Sequence, residues 1–186
     1  MVVNKRRPLT PHDYVPSDLV AVHVPYIGVR PLLRSAAALE VEAMFTDFTK
    51  QTGLEMQSNS AYRSYADQKT EYQSFSQTLG AEAAAETTAR PGYSEHQTGL
   101  AIDIGAKGSN CSARDCFSGT AQSRWLATNA WRFGFIIRYP QGQQGVTGYT
   151  YEPWHLRYVG PTLAKKIHGH FSSLEAYFHL PAAPTY

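Results

Sequence analysis

The stretch LAIDIG, Leu100 to Gly105, constrains this chain more than any other. Leu100, Ile102 and Ile104 alternate with Ala101, Asp103 and Gly105, the period-two pattern of a strand with one face on a core. That alternation places Asp103 on the opposite face. A buried carboxylate without a partner is costly, so this face must offer water or a positive charge. The fold therefore contains a sheet whose two sides meet different surroundings.

The rest of the chain supplies strands and helices around it. Ala37, Val41, Met44, Phe45 and Phe48 follow helical spacing, which predicts a helix over 32–52 closed by Gly53. A short strand is expected over 54–60. Ser64 with Asp67 reads as an N-cap for a helix to about Leu79, and the alanine-rich 81–88 segment is helical too. A helix over 120–132 ends at Gly134, strands follow at 135–139 and 149–159, the second bent at Pro153, and helices return after Pro161. Strands interspersed with helices without a βαβ rhythm predict an α+β fold with a mostly antiparallel sheet flanked by helices. Residues 1–30 carry little periodicity, and five prolines fall between Pro8 and Pro31, so this segment is read as extended chain wrapping a single domain over 31–186.

At 186 residues the chain can bury one sizeable core. A net charge of +2, with basic residues scattered apart from Lys5-Arg6-Arg7, excludes a nucleic-acid binder. No run approaches the ~18–20 apolar residues of a membrane-spanning helix, and the start lacks a signal-peptide pattern. The chain is thus either cytoplasmic or a mature form of an exported protein. Cys111 and Cys116 bear on that choice. In the turn-rich stretch GSNCSARDCFSG they either form a local disulfide or stay free thiols; the bridge, and with it export to an oxidising compartment, is the favoured reading.

A catalytic zinc ion takes three protein ligands and leaves a position for water, with a carboxylate nearby as general base. His96, Asp103 and His155 offer such a set, with Glu152 three residues before the last. Gly99 permits the turn that would bring His96 to the ion, and Pro153 the bend that would turn Glu152 and His155 into one cavity. Singly, each residue has an ordinary explanation: Asp103 as a turn cap or a partner for Arg138, Glu152 as an edge-strand charge. His12, His23, His168, His170 and His179 are read as surface or core histidines.

SEHQTGLAID (94–103) resembles the S-x-H-x-x-G-x-A-x-D motif of the VanY-like zinc D,D- and L,D-carboxypeptidases, which trim peptidoglycan stem peptides. YEPWHLRYVG (151–160) resembles their second motif, E-x-W-H-x-R-Y-V-G. SAYRSYADQ (60–68) resembles an upstream signature, and FIIRYPQGQQGVTGY resembles the connection into the second motif. The resemblance covers roughly residues 30–170, in matching order.

The resemblance implies a Hedgehog/DD-peptidase-like α+β domain with Zn2+ held by His96, Asp103 and His155. It makes Glu152 the catalytic base and Arg63 the group at the substrate carbonyl, where a guanidinium can steady a developing oxyanion. Ser94 and Gln68 match substrate-binding positions, and Arg138 is a candidate for gripping the substrate's terminal carboxylate or, equally, for pairing with a structural acid. Tyr93, Tyr139, Tyr151 and Trp154 either line the groove or fill the core. The implied activity is removal of the C-terminal D-alanine from a peptidoglycan stem peptide or precursor; with the export read from the cysteines, the enzyme is expected to be an exported monomer. D,D-carboxypeptidase action is favoured over L,D action on tetrapeptides, an endopeptidase, or a non-catalytic wall-binding module.

Overall fold

The helical periodicity of 32–52 turns into a helix three residues later than the apolar pattern suggests. In the computed structural model, which describes residues 1–186, Leu32–Arg34 forms strand β2, paired antiparallel with β1 (Leu19–Ala21). Pairing with β1 holds that backbone extended, and Arg34 stands in extended conformation at the helix entry without a side-chain cap. Helix α1 (Ser35–Thr52) then buries Ala37, Val41, Met44, Phe45 and Phe48 on one face and stops at Gly53, φ 71°. The opening segment therefore contributes a strand as well as extended chain.

Strand β3 (Met56–Ser60) leads to α2 (Tyr65–Leu79), where the Ser64 hydroxyl accepts from the Asp67 backbone N–H at 3.1 Å. Helix α3 (Ala81–Thr87) follows at once. A 3-10 turn (Glu95–Thr98) ends at Gly99, whose φ of 66° reverses the chain into β4 (Ala101–Ala106). A Cβ at Gly99 would come within 2.7 Å of Leu19, so glycine is required there for space as well as for conformation. After a loop closed by a Cys111–Cys116 disulfide, α4 (Ala121–Asn129) tightens into a 3-10 turn (Ala130–Phe133) before Gly134, where a single helix to Arg132 was expected. Then come β5 (Phe135–Tyr139), α5 (Gln144–Thr147), β6 (Glu152–Tyr158), α6 (Pro161–His170) and α7 (Leu174–Tyr177). β6 starts at Glu152 rather than Tyr149, because α5 and the left-handed Gly148 occupy the approach.

The four-stranded sheet has the order β3-β4-β6-β5, antiparallel throughout. Ile102, Ile104, Leu156 and Phe135 pack from it into the main core with Val41, Met44 and Phe48 of α1. Asp103 lies on the other face, paired in register with His155 of β6. Two irregularities flank that pair. The β3–β4 register shifts between Ser58 and Ser60, and β6 bulges against β5 so that Tyr139 pairs with Glu152 although Ile137 pairs with Leu156. Pro153, which cannot donate to a ladder, falls within the second bulge. Bulges of this kind re-aim side chains, and here both open toward the same cavity.

Candidate active site

Three side chains converge on the non-core face of the sheet. His96 comes from the 3-10 turn before β4, Asp103 from β4 and His155 from β6, and their ligating atoms lie within 4.8 Å of one another. His96 Nε2 is 3.4 Å from Asp103 Oδ2, and His155 Nδ1 is 3.4 Å from Asp103 Oδ1. A tetrahedral zinc with bonds of about 2.0–2.1 Å separates its ligand atoms by about 3.3–3.4 Å; the two distances here run to different oxygens of Asp103, and a small closing movement brings one atom of each residue onto a single ion. His96 Nδ1 bonds the Ala61 carbonyl at 2.7 Å, which leaves Nε2 free to ligate. Asp103 Oδ1 is buried without a hydrogen-bond partner, as an oxygen reserved for a cation would be. The donor set of two imidazoles and a carboxylate therefore fits zinc on chemistry and unmet valence, with its atoms close enough to converge on one ion.

Glu152 places Oε2 3.4 Å from His155 Nδ1, on the cavity side. Burial, and then the charge of Asp103, pushes its carboxyl well above the ordinary value, with Arg63 pulling the other way. Asp103 is shifted oppositely: burial alone would raise it, but His96, His155 and Arg63 bring it below the ordinary value. Arg63 stands just before α2, with Nη1 donating to Gln68 Oε1 and Glu71 Oε1 and Nη2 to Ser60 Oγ at 2.9 Å. These partners hold the guanidinium at the cavity wall.

All these groups except Gln68 line one cleft of about 460 Å³, together with Ser94, Tyr139, Tyr149, Trp154 and Ala113–Asp115 of the disulfide loop. Two of the substrate-binding candidates fall outside it. Arg138 has a fully buried side chain and is engaged by Glu95 and Glu175, so it does not reach a substrate carboxylate. Gln68 is buried behind Arg63 and donates to Thr88 Oγ1 and the Ala89 carbonyl, which orients the arginine rather than meeting a peptide. Tyr93 packs edge-on against His12 and Tyr186 away from the cleft, and Tyr151 does not line it. The five remaining histidines are exposed.

Sequence reasoning missed Glu71, Glu95, Arg157 and Glu175. Glu95 and Arg157 lie inside the two quoted motifs, and their position beside ligands was a usable signal. Glu175 sits on α7 and carries no local mark.

A family model described as VanY, D-alanyl-D-alanine carboxypeptidase, matches residues 30–161. YodJ of Bacillus subtilis is 42% identical over 181 residues, covering 95% of this chain and 66% of YodJ. The chain spans a smaller share, 29% and 35%, of D-alanyl-D-alanine carboxypeptidases from Enterococcus faecium and Enterococcus faecalis. Among solved structures, the LdcB LD-carboxypeptidase superposes with a TM-score of 0.86 at 42% identity, covering 95% of this chain and 84% of LdcB. The D,D-pentapeptidase VanY of the VanB-type resistance cassette, solved in complex with Zn(II), gives 0.73 at 30% identity, covering 96% and 97%. The matched range includes Arg63, His96, Asp103, Glu152 and His155, and this chain belongs to the VanY D-alanyl-D-alanine carboxypeptidase family.

Proposed function

We propose that this chain is a zinc-dependent carboxypeptidase that removes the C-terminal D-alanine from peptidoglycan stem peptides outside the cytoplasm. The observation that carries the reading is the His96–Asp103–His155 trio, its ligating atoms within 4.8 Å of one another, with Glu152 and Arg63 on the same cleft. When bound, zinc supplies Lewis acidity and makes water a better nucleophile at neutral pH. Glu152 takes a proton from the attacking water and returns it to the departing amine as the C–N bond breaks. Arg63, already held by Gln68, Glu71 and Ser60, presents its remaining N–H groups to the oxygen on which negative charge develops. Ser94 lines the same cleft just before the turn that carries His96, which supports a hydrogen bond from it to the peptide.

A second reading within the same chemistry is L,D-carboxypeptidase action on tetrapeptide stems. The higher likeness to LdcB supports it, as does Asp115 on the cleft wall. An acid there suits the amine-bearing side chain of a diamino acid beside the scissile bond. Mass-spectrometric digestion of synthetic pentapeptide and tetrapeptide stems by the zinc-loaded protein separates the two: loss of alanine from the pentapeptide alone establishes D,D action, and loss from the tetrapeptide L,D action. If both stay intact while zinc binds stoichiometrically, the carboxypeptidase reading fails.

A further inference from the structure

Behind His155 lies a cluster of four buried charges that the proposed reaction leaves unused. Glu95 Oε1 accepts from Arg138 Nε and Arg157 Nη1, both at 2.8 Å. Arg138 also grips Glu175 through two bonds, at 2.8 and 2.6 Å. The N-terminal segment closes the outer edge: the Met1 carbonyl accepts from Arg157, the Val3 carbonyl from Arg138, and Asn4 Nδ2 donates to Glu175. Two arginines balance two glutamates, so the cluster is neutral without a further ion.

One oxygen is left over. Glu95 Oε2 has no hydrogen-bond partner, and neither has His155 Nε2, which lies 3.7 Å from it. Two buried atoms of complementary character thus face each other, and a shift of under about 1 Å brings them to ordinary hydrogen-bond distance. The opposite ring nitrogen, Nδ1, faces Asp103 and Glu152 on the cleft side.

We infer that Glu95 is a positioning residue for the metal site: it fixes His155 as the Nε2–H tautomer, so that the Nδ1 lone pair is presented to the ion. With the ion on Nδ1 the ring proton stands on Nε2, and Glu95 Oε2 is the acceptor that faces it; with the proton on Nδ1 instead, Asp103 and Glu152 would accept it, and the Nε2 lone pair would face the buried Glu95 oxygen with no donor between them. His96 provides the contrast. Its Nδ1 faces a carbonyl, which only accepts, so His96 is the Nδ1–H tautomer and ligates through Nε2. The two histidine ligands therefore have opposite tautomers, one set by a backbone carbonyl and the other by a carboxylate held in place by two arginines. Carboxylate–histidine pairing behind a metal orients the ring and raises its basicity as a ligand.

The inference rests on the zinc reading for its consequence, so the test begins in the metal-free protein. Two-bond nitrogen–proton correlation spectra of the imidazole-labelled protein at about pH 8, above the ordinary histidine pKa of about 6.5, report each tautomer directly. His96→Asn and His155→Asn variants assign the signals. The expected result is Nδ1–H for His96 and Nε2–H for His155; a wild-type His155 found as Nδ1–H overturns the inference outright. In Glu95→Gln the amide oxygen takes the place facing the two arginines and the NH2 turns toward His155, which must then accept at Nε2. His155 is expected to switch to Nδ1–H, and zinc affinity, read by chelator competition, to fall about 10–100-fold. A folded Glu95→Gln protein with unchanged tautomer and unchanged zinc affinity also refutes it, and if that variant does not fold, the wild-type spectrum still decides. Correct wild-type tautomers without zinc binding support the assignment of Glu95 and sink the zinc reading instead.

Discussion

Replacing Arg138 by methionine tests whether this residue belongs to the interior or to the substrate. Its side chain has no exposed surface and bonds Glu95 at 2.8 Å, Glu175 at 2.8 and 2.6 Å, and the Val3 carbonyl at 3.4 Å. Without it, Glu175 retains only Asn4 among these partners and Glu95 retains Arg157. The buried set passes from neutral to a net charge of −1. Removing one member of a buried ion pair costs about 3–5 kcal/mol, because the other is left uncompensated. For a chain of this length each kcal/mol moves the melting temperature by about 2–4 °C, so the drop should reach about 6–20 °C. Arg138→Met/Glu175→Gln restores neutrality and should be more stable than Arg138→Met alone, with a coupling of about 0.5–3 kcal/mol. Urea denaturation followed by tryptophan fluorescence measures all three proteins, and KM at saturating zinc completes the test. A variant of wild-type stability with a raised KM would return Arg138 to the substrate and refute the structural role.

Glu152→Gln should lower kcat by about 10²–10⁴ while zinc still binds, since only the base is lost; full activity in the zinc-loaded variant would exclude the mechanism. The folded state raises the Glu152 carboxyl, so its contribution to stability is complete below the ordinary value of 4.5 and is lost as pH rises above it. Metal-free Glu152→Gln should therefore melt higher than wild type at neutral pH, with the gap closing below that value; equal melting across the range would contradict the burial argument. Arg63→Lys keeps the charge but loses the fork that Gln68, Glu71 and Ser60 hold, and kcat should fall about 10²–10³-fold with little change in KM; a selective rise in KM would point to ground-state binding instead. Cys111→Ser/Cys116→Ser opens a loop with a sequence separation of 5 and should cost about 2 kcal/mol. It should also raise KM, because Ala113–Asp115 line the cleft, and an unchanged KM would remove that loop from the substrate's surroundings.

The parts of the fold that were legible in the sequence are those written locally. The alternation through Ile104 marked β4 and put Asp103 on the far face, and Ser64 with Asp67 marked the start of α2. The short β1–β2 pair was hidden because Leu32 and Leu33 continue the apolar spacing of α1, and only tertiary pairing with Leu19–Ala21 pulls them out of the helix. The site divides the same way. His96, Asp103, His155, Glu152 and Arg63 sit in compact motifs. The buried cluster behind them draws Glu175 and the N-terminal backbone from the two ends of the chain, and no local pattern records that meeting. Arg138 was ambiguous for this reason: an arginine on a strand shows its charge but not which distant acid will face it.

The register of β4 against β6 explains how separated motifs produce one metal spacing. Asp103 and His155 are direct cross-strand partners, and Ile102 pairs with Leu156 one position away on the core face. A slip by one residue would exchange the two faces of the slipped strand. If both strands presented their wrong faces, Ile102, Ile104 and Leu156, all fully buried, would lose the core. At about 1.5–3 kcal/mol for each buried aliphatic side chain, that costs about 5–9 kcal/mol, a large share of the ~5–15 kcal/mol that holds a typical domain folded. The ligand geometry is therefore held from behind by the packing of the core. Ligand substitutions should abolish zinc binding without loosening the sheet, whereas enlarging or shrinking Ile102 or Leu156 should weaken zinc binding although neither side chain touches the site.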